Sequence, residues 1–209
     1  MARGKAPTFE QQRNAIMDAA AEWFARKGFH NATTAEIARA CGVSKPLLYH
    51  YYRDKEHLLF DIADSYIDRL LGVVAEVEAR RKEPEAHFAA LVEGFLKTYA
   101  SAQYYHVVLV QDVKFLQAEQ AERIRGKQRR VVAAVAVALR RLEPGLQPKG
   151  LETPVTMILF GMINWLYTWV HPDGPLRIED LAPVVTRLFL DGVHGVAARP
   201  RALAATAVG

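Results

Sequence analysis

Thr33-Thr34-Ala35-Glu36-Ile37-Ala38, followed by Cys41-Gly42-Val43-Ser44-Lys45-Pro46-Leu47-Leu48-Tyr49-His50-Tyr51-Tyr52, is the stretch from which the fold of this chain can be read. Thr33 with Glu36 three positions on is a capping box: the hydroxyl takes an orphan backbone N–H and the carboxylate reaches back. It starts a short helix over about 34–41. Gly42 stops that helix, and Ser44 caps a second short helix over about 45–52, in whose first turn Pro46 is tolerated because N–H groups there lack helical partners. Two short helices joined through Cys41-Gly42-Val43 have the spacing of a helix-turn-helix, whose second helix lies in a DNA major groove.

Helical periodicity sorts the side chains. Ile37, Ala38, Val43, Leu48 and Tyr52 recur where a core face lies, with Leu48 and Tyr52 one turn apart. Lys45, Pro46, Leu47, Tyr49 and His50 then face outward, where a cation, a phenol and an imidazole can donate to phosphates and base edges and Leu47 can touch a thymine methyl. Ser44 at the cap, Thr33 and Thr34 at the start of the crossing helix, and Lys55 at the start of the next complete the candidate DNA contacts. Taken singly, each has an ordinary structural reading as packing, cap or solvated charge; their shared register favours DNA.

Working outward, helix signals run from end to end and no alternating strand with a hairpin turn occurs, so the expected class is all-α with about nine helices. Phe9, Ile16, Ala20, Trp23 and Phe24 form one stripe of a first helix over 9–27, which Gly28 is expected to end in the left-handed conformation. Asp54 caps a fourth helix that meets no breaker before Pro84, about 28 residues or roughly 42 Å. Further helices are expected over about 85–100, 103–110, 112–142, 151–170 and 178–197, the last two separated by His171-Pro172-Asp173-Gly174-Pro175. The expected organisation is a DNA-binding domain over 1–57, a helical ligand-binding and dimerisation domain over 58–199, and mobile ends in the first eight residues and 200–209.

Composition agrees. The 209 residues are 51% apolar and 24% charged, which excludes disordered and collagenous classes. Net charge is +4, and residues 1–57 hold nine Lys and Arg against six Asp and Glu, so a polyanionic partner meets that end. The lone Cys41 forms no intramolecular disulfide, and no secretory leader pattern opens the chain, so a cytoplasmic setting is expected. The longest apolar run, Pro154 to Val170, falls short of a bilayer span and carries Asn164 near its middle. Scattered histidines and three serines, Ser44, Ser65 and Ser101, give no metal-spaced pair, nucleophile elbow or phosphate-binding loop, so no enzyme and no cofactor is expected. A sequence-neutral nucleic-acid-binding protein is the alternative class; it would spread its basic residues over the whole surface.

The segment from Thr33 through Leu58, with Tyr49-His50-Tyr51-Tyr52-Arg53-Asp54-Lys55-Glu56 at its centre, resembles the DNA-binding signature of the TetR family of transcriptional regulators. Tyr52 stands where Phe is common in the family and Pro46 where a small residue is common. The resemblance implies a three-helix DNA-binding domain, a larger helical domain, homodimers on a palindromic operator, and repression relieved by a small molecule. Phe160-Gly161-Met162-Ile163-Asn164-Trp165-Leu166-Tyr167-Thr168-Trp169 resembles the branch sensing acyl-CoA thioesters, and the run His106 to Leu116, with Tyr49-His50-Tyr51-Tyr52 upstream, is similar to its phenylacetate-responsive members. That implies phenylacetyl-CoA as effector, with long-chain acyl-CoA as the alternative.

An aryl-acyl thioester needs an apolar cavity with a few polar groups for its carbonyl. Tyr105, His106, Gln111, Lys114, Phe115, Asn164, Trp165 and Trp169 are the candidate contacts, because polar groups interrupting apolar helical faces must pair internally or with ligand. Ordinary core packing is the alternative for each. Apolar residues on more than one face of the last two helices suggest a two-fold four-helix seam, with Gly161, Val184, Val185, Leu188 and Gly192 as candidates and intramolecular burial as the other reading.

Overall fold

The computed structural model describes residues 8–171 and 174–198, which hold nine α-helices and no strand. These are α1 (Phe9–Lys27), α2 (Thr34–Ala40), α3 (Lys45–Tyr51), α4 (Lys55–Ala79), α5 (Pro84–Ser101), α6 (Gln103–Gln111), α7 (Ala118–Leu142), α8 (Glu152–Asn164) and α9 (Ala182–Ala198). The expected tail over 200–209, residues 1–7 and the Pro172-Asp173 break lie outside the described residues.

Helix boundaries differ from expectation where local chemistry overrides periodicity. The segment expected as one helix over 112–142 begins as a 3₁₀ turn, Val113–Phe115, and Leu116 is extended before α7 starts. Phe115 is drawn instead into an aromatic cluster, stacked 5.5 Å from Phe29 and edge-on 4.3 Å from His30. The helix expected to reach 170 stops at Asn164, and the Thr168 hydroxyl donates to the Trp165 carbonyl at 2.7 Å, closing a 3₁₀ turn. α9 follows a separate 3₁₀ turn, Ile178–Leu181, and carries Pro183 in its own first turn, where a missing N–H costs nothing. α4 ends at Ala79, short of Pro84; Arg81 takes the left-handed φ of 45° and Pro84 opens α5. Gly28 has a positive φ of 80° with ψ 151°, a region open to glycine alone, and not the left-handed helical cap expected.

The chain divides into two compact units. One holds residues up to Asp68 together with Ala102–Gly126; the other holds Arg69–Ser101 and the residues from Lys127 onward. The helix-turn-helix unit thus includes α6 and the start of α7 as well as the first three helices. Its core is Ile16, Phe24, Phe29, Ile37, Leu48, Tyr52, Leu58 and Ile62, all buried; each full burial of such a side chain contributes about 1.5–3 kcal/mol. α6 lies along α1, tied by Tyr105 Oη donating to Asp18 at 2.7 Å and by Arg26 donating to Tyr104 at 2.7 Å. Arg13 of α1 is paired with Asp61 of α4 at 2.7 Å.

The other unit packs α5 against α9, with Phe88 stacked 5.4 Å from Phe189. Phe95, Val135, Leu139, Leu159 and Ile163 fill its interior. Gly94 on α5 allows Val73 of α4 to approach so closely that an added Cβ would lie 2.4 Å from a Val73 methyl.

Candidate functional site

The site begins with α2 and α3. Thr33 Oγ1 accepts from Glu36 N at 3.2 Å and Thr33 N donates to Glu36 Oε2 at 3.1 Å, completing the expected capping box, and the Thr33 hydroxyl donates to the same carboxylate at 2.8 Å. Lys27 donates to the same carboxylate at 2.6 Å; with that bond first and Thr33 second, the Glu36 carboxyl falls to about 2. Thr33 is thus committed within the protein. Gly42 turns the chain at φ 69°, and Ser44 Oγ accepts from Leu47 N at 3.3 Å to start α3.

α3 then shows two opposed faces. Leu48 and the following Tyr52 are buried to within 1%, while Lys45, Pro46, Leu47, Tyr49 and His50 are exposed. Tyr49 is 45% exposed; its hydroxyl lies 3.3 Å from Thr34 Oγ1 and its ring 5.8 Å from the Lys45 ammonium. Thr34 therefore links the start of α2 to the outward phenol of α3, a pairing that sequence spacing did not reveal. Tyr51, also unassigned from sequence, stacks on Phe9 at 4.6 Å and anchors the start of α1 to α3. Among the described residues the buried Tyr52 hydroxyl makes no hydrogen bond of good geometry, although Arg13 lies near it, and burial pushes its phenol well above the ordinary value.

Lys55 stands at the start of α4 as expected, but its ammonium points inward. It donates to the carbonyls of Phe29 at 2.6 Å, His30 at 3.2 Å and Ala32 at 3.2 Å. An ammonium has three donors, and all three are used. Lys55 therefore holds the α1–α2 loop in place and has no donor left for a phosphate.

The candidate effector residues fall in different units. In the first unit Tyr105 is buried and bonded to Asp18, while His106 is buried with Nδ1 3.2 Å from Tyr66 Oη. Gln111, Lys114 and Phe115 line an open cleft of about 480 Å³ with Gly28, Phe29, His30, Asn31, Val110 and Asp112. In the second unit Asn164 accepts from the buried Tyr99 hydroxyl at 2.8 Å. Trp165 and Trp169 are 63% and 51% exposed within the single chain, so neither ring is enclosed in an interior cavity of that unit.

α9 separates the dimer candidates by one residue of phase. Val185, Phe189 and Val193 form a buried stripe, whereas Val184, Leu188 and Gly192 form an exposed one. Val185 thus belongs to the interior and is corrected from the outward set; the 100° step per residue turns it away from Val184. On α8, Met157, Ile158 and Gly161 share the exposure of Val184 and Leu188. A Cβ at Gly161 or Gly192 would meet nothing within 4 Å. Among the described residues there is no group of three or more metal-ligating side chains and no helix long and apolar enough to cross a membrane.

Residues 16–62 match the family model for bacterial regulatory proteins of the tetR family, and residues 81–193 match that for the tetracyclin repressor-like C-terminal domain. The crystal structure of a TetR-family transcriptional regulator from Bordetella parapertussis 12822 superposes with a TM-score of 0.84 at 38% identity, covering 88% of this chain and 96% of that one. The HTH-type transcriptional repressor KstR2 of Rhodococcus jostii is 24% identical over 87% of this chain and 91% of its own. AibR, solved in complex with isovaleryl coenzyme A and operator DNA, shares the fold with a TM-score of 0.73 at 24% identity, over 85% of this chain and 97% of that one. With both halves of its length matched and the two-faced α3 in place, the chain belongs to the TetR family of bacterial regulatory proteins.

Proposed function

We propose that the protein is a cytoplasmic homodimeric repressor that binds a palindromic operator and is released by an acyl-CoA thioester. The observation that carries the reading is the register of α3: Leu48 and Tyr52 inward, and Lys45, Leu47, Tyr49 and His50 outward on an uninterrupted exposed face. Two such helices reach successive major grooves if the copies hold them about 34–36 Å apart. Val184, Leu188, Gly192, Met157, Ile158 and Gly161 offer the apolar surface for pairing. Lys45 and His50 are the base-edge candidates, Tyr49 with Thr34 the phosphate pair, and Ser44, Thr33 and Lys55 the groups that set their positions.

Effector class rests on the resemblance of residues 160–169 and 106–116 to acyl-CoA-responsive regulators, and AibR with its bound isovaleryl coenzyme A supports a thioester. Phenylacetyl-CoA is the specific effector proposed; a longer acyl-CoA is the second reading, favoured by exposure of Trp165 and Trp169 in place of a closed aryl pocket. The deciding experiment measures thermal stability and operator affinity with phenylacetyl-CoA, free phenylacetate and a long-chain acyl-CoA, since a ligand bound only by the folded state stabilises it. Phenylacetyl-CoA alone should stabilise the protein and release operator DNA. Equal affinity for the palindrome and a scrambled duplex at fixed salt refutes the operator reading.

A further inference from the structure

The cleft between the α1–α2 loop and the end of α6 contains a nearly buried carboxylate facing two cationic side chains, Lys114 and His30. Asp112 is only 5% exposed, yet its carboxylate accepts no hydrogen bond from any described residue. Its backbone is satisfied, the N–H donating to Val108 at 2.9 Å and the carbonyl accepting from Phe115 N at 2.9 Å. Burial raises the carboxyl to about 6, with Lys114 and His30 opposing the rise, so near neutral pH the group is mostly an ion without a donor. Burying a charge without a partner is costly, and Asn at this position would avoid the cost.

The rest of the cleft narrows what could supply that donor. Lys114 is exposed, with its ammonium 5.1 Å from the centre of the Phe115 ring and its charge acting on Asp112 without a direct ion pair among the described residues. His30 is exposed on the opposite wall, its ring 4.3 Å from that of Phe115. Val110 and Phe115 give the cleft an apolar surface. A simple anion would meet Asp112 and a simple cation would meet Lys114. A molecule carrying both charges meets a complement to each.

We propose that this cleft is a small-molecule site for an amphoteric ligand of the amino-acid class, its ammonium donated to Asp112 and its carboxylate received by Lys114 and His30. An apolar side chain then lies along Val110 and Phe115. The site takes Lys114 and Phe115 from the residues that the acyl-CoA reading also uses, and it is told apart from that reading by its ligand. It borders the loop that Lys55 fastens, so occupancy stiffens the segment leading into α2.

The test is calorimetric titration and thermal shift of the full chain with L-phenylalanine and L-leucine at millimolar concentration, beside phenethylamine and 3-phenylpropanoate. At least one amino acid should bind, and the two single-charge analogues should bind it about tenfold or more weakly, each having lost one ion pair. Asp112→Asn and Lys114→Gln should each abolish the amino-acid response while melting cooperatively. Absence of binding by both amino acids overturns the proposal, as does unchanged binding to both variants or equal binding of phenethylamine. Failure of the acyl-CoA experiment with a positive result here leaves this site standing, and the reverse holds.

Discussion

Asp112→Asn makes the protein more stable, and its pH dependence tests the reason. The rise from 3.8 to about 6 corresponds to at most about 3 kcal/mol of preference for the neutral carboxyl in the folded protein, reduced by water admitted to the open cleft. Because the folded state holds this proton more tightly than the unfolded chain, the group exerts its full cost above pH 6; the cost fades as pH falls through 6 and vanishes below 3.8, where both states are protonated. Asn removes the ion but leaves a buried amide, which returns about 1 kcal/mol, so the net gain is about 1–2 kcal/mol at neutral pH. For a chain of this length that is a rise in Tm of about 3–6 °C. Scanning calorimetry of wild type and variant without ligand, at several pH values between 4.5 and 8, measures it. A gain equal at both ends of that range, or none at neutral pH, refutes the argument that desolvation of this carboxylate sets its cost.

Tyr49→Phe should weaken binding to operator and scrambled duplex alike by up to about tenfold, read by fluorescence anisotropy at fixed salt, because it removes a phosphate donor paired with Thr34 and no base contact. Lys55→Met should lower stability by about 2–3 kcal/mol, measured by urea unfolding, since three carbonyls lose a charged donor. Tyr52→Phe should be neutral or stabilising by up to about 1 kcal/mol in the same assay, as it removes a buried hydroxyl that makes no well-formed hydrogen bond among the described residues. Leu188→Glu should give a monomer in sedimentation analysis with unchanged helicity, whereas Val185→Glu should unfold the chain, because one faces out and the other in.

The helix-turn-helix was legible in the sequence because its information is local. A capping box, a turn glycine, a cap serine and the four-residue repeat of Leu48 and Tyr52 specify geometry within a few positions of themselves. The helix ends at 112–118 and 164–170 were hidden because partners distant in sequence decide them: Phe115 leaves the helical path for Phe29 and His30, and Asn164 answers to Tyr99. Lys55 shows the same limit. Its place at the head of α4 was readable, but its direction was set by three carbonyls more than twenty residues earlier. On α9 the stripes were visible as an excess of apolar residues, and only packing could assign Val185 to one and Val184 to the other.

The Lys55 knot has a bearing on how DNA binding should be measured. Its partners are peptide dipoles at hydrogen-bond distance and not carboxylates, so dissolved ions compete with it weakly, whereas they compete strongly for every phosphate contact. The reading head therefore keeps its shape across the ionic strengths that strip it from a duplex, and the slope of affinity against salt counts phosphates rather than reporting a loosening protein.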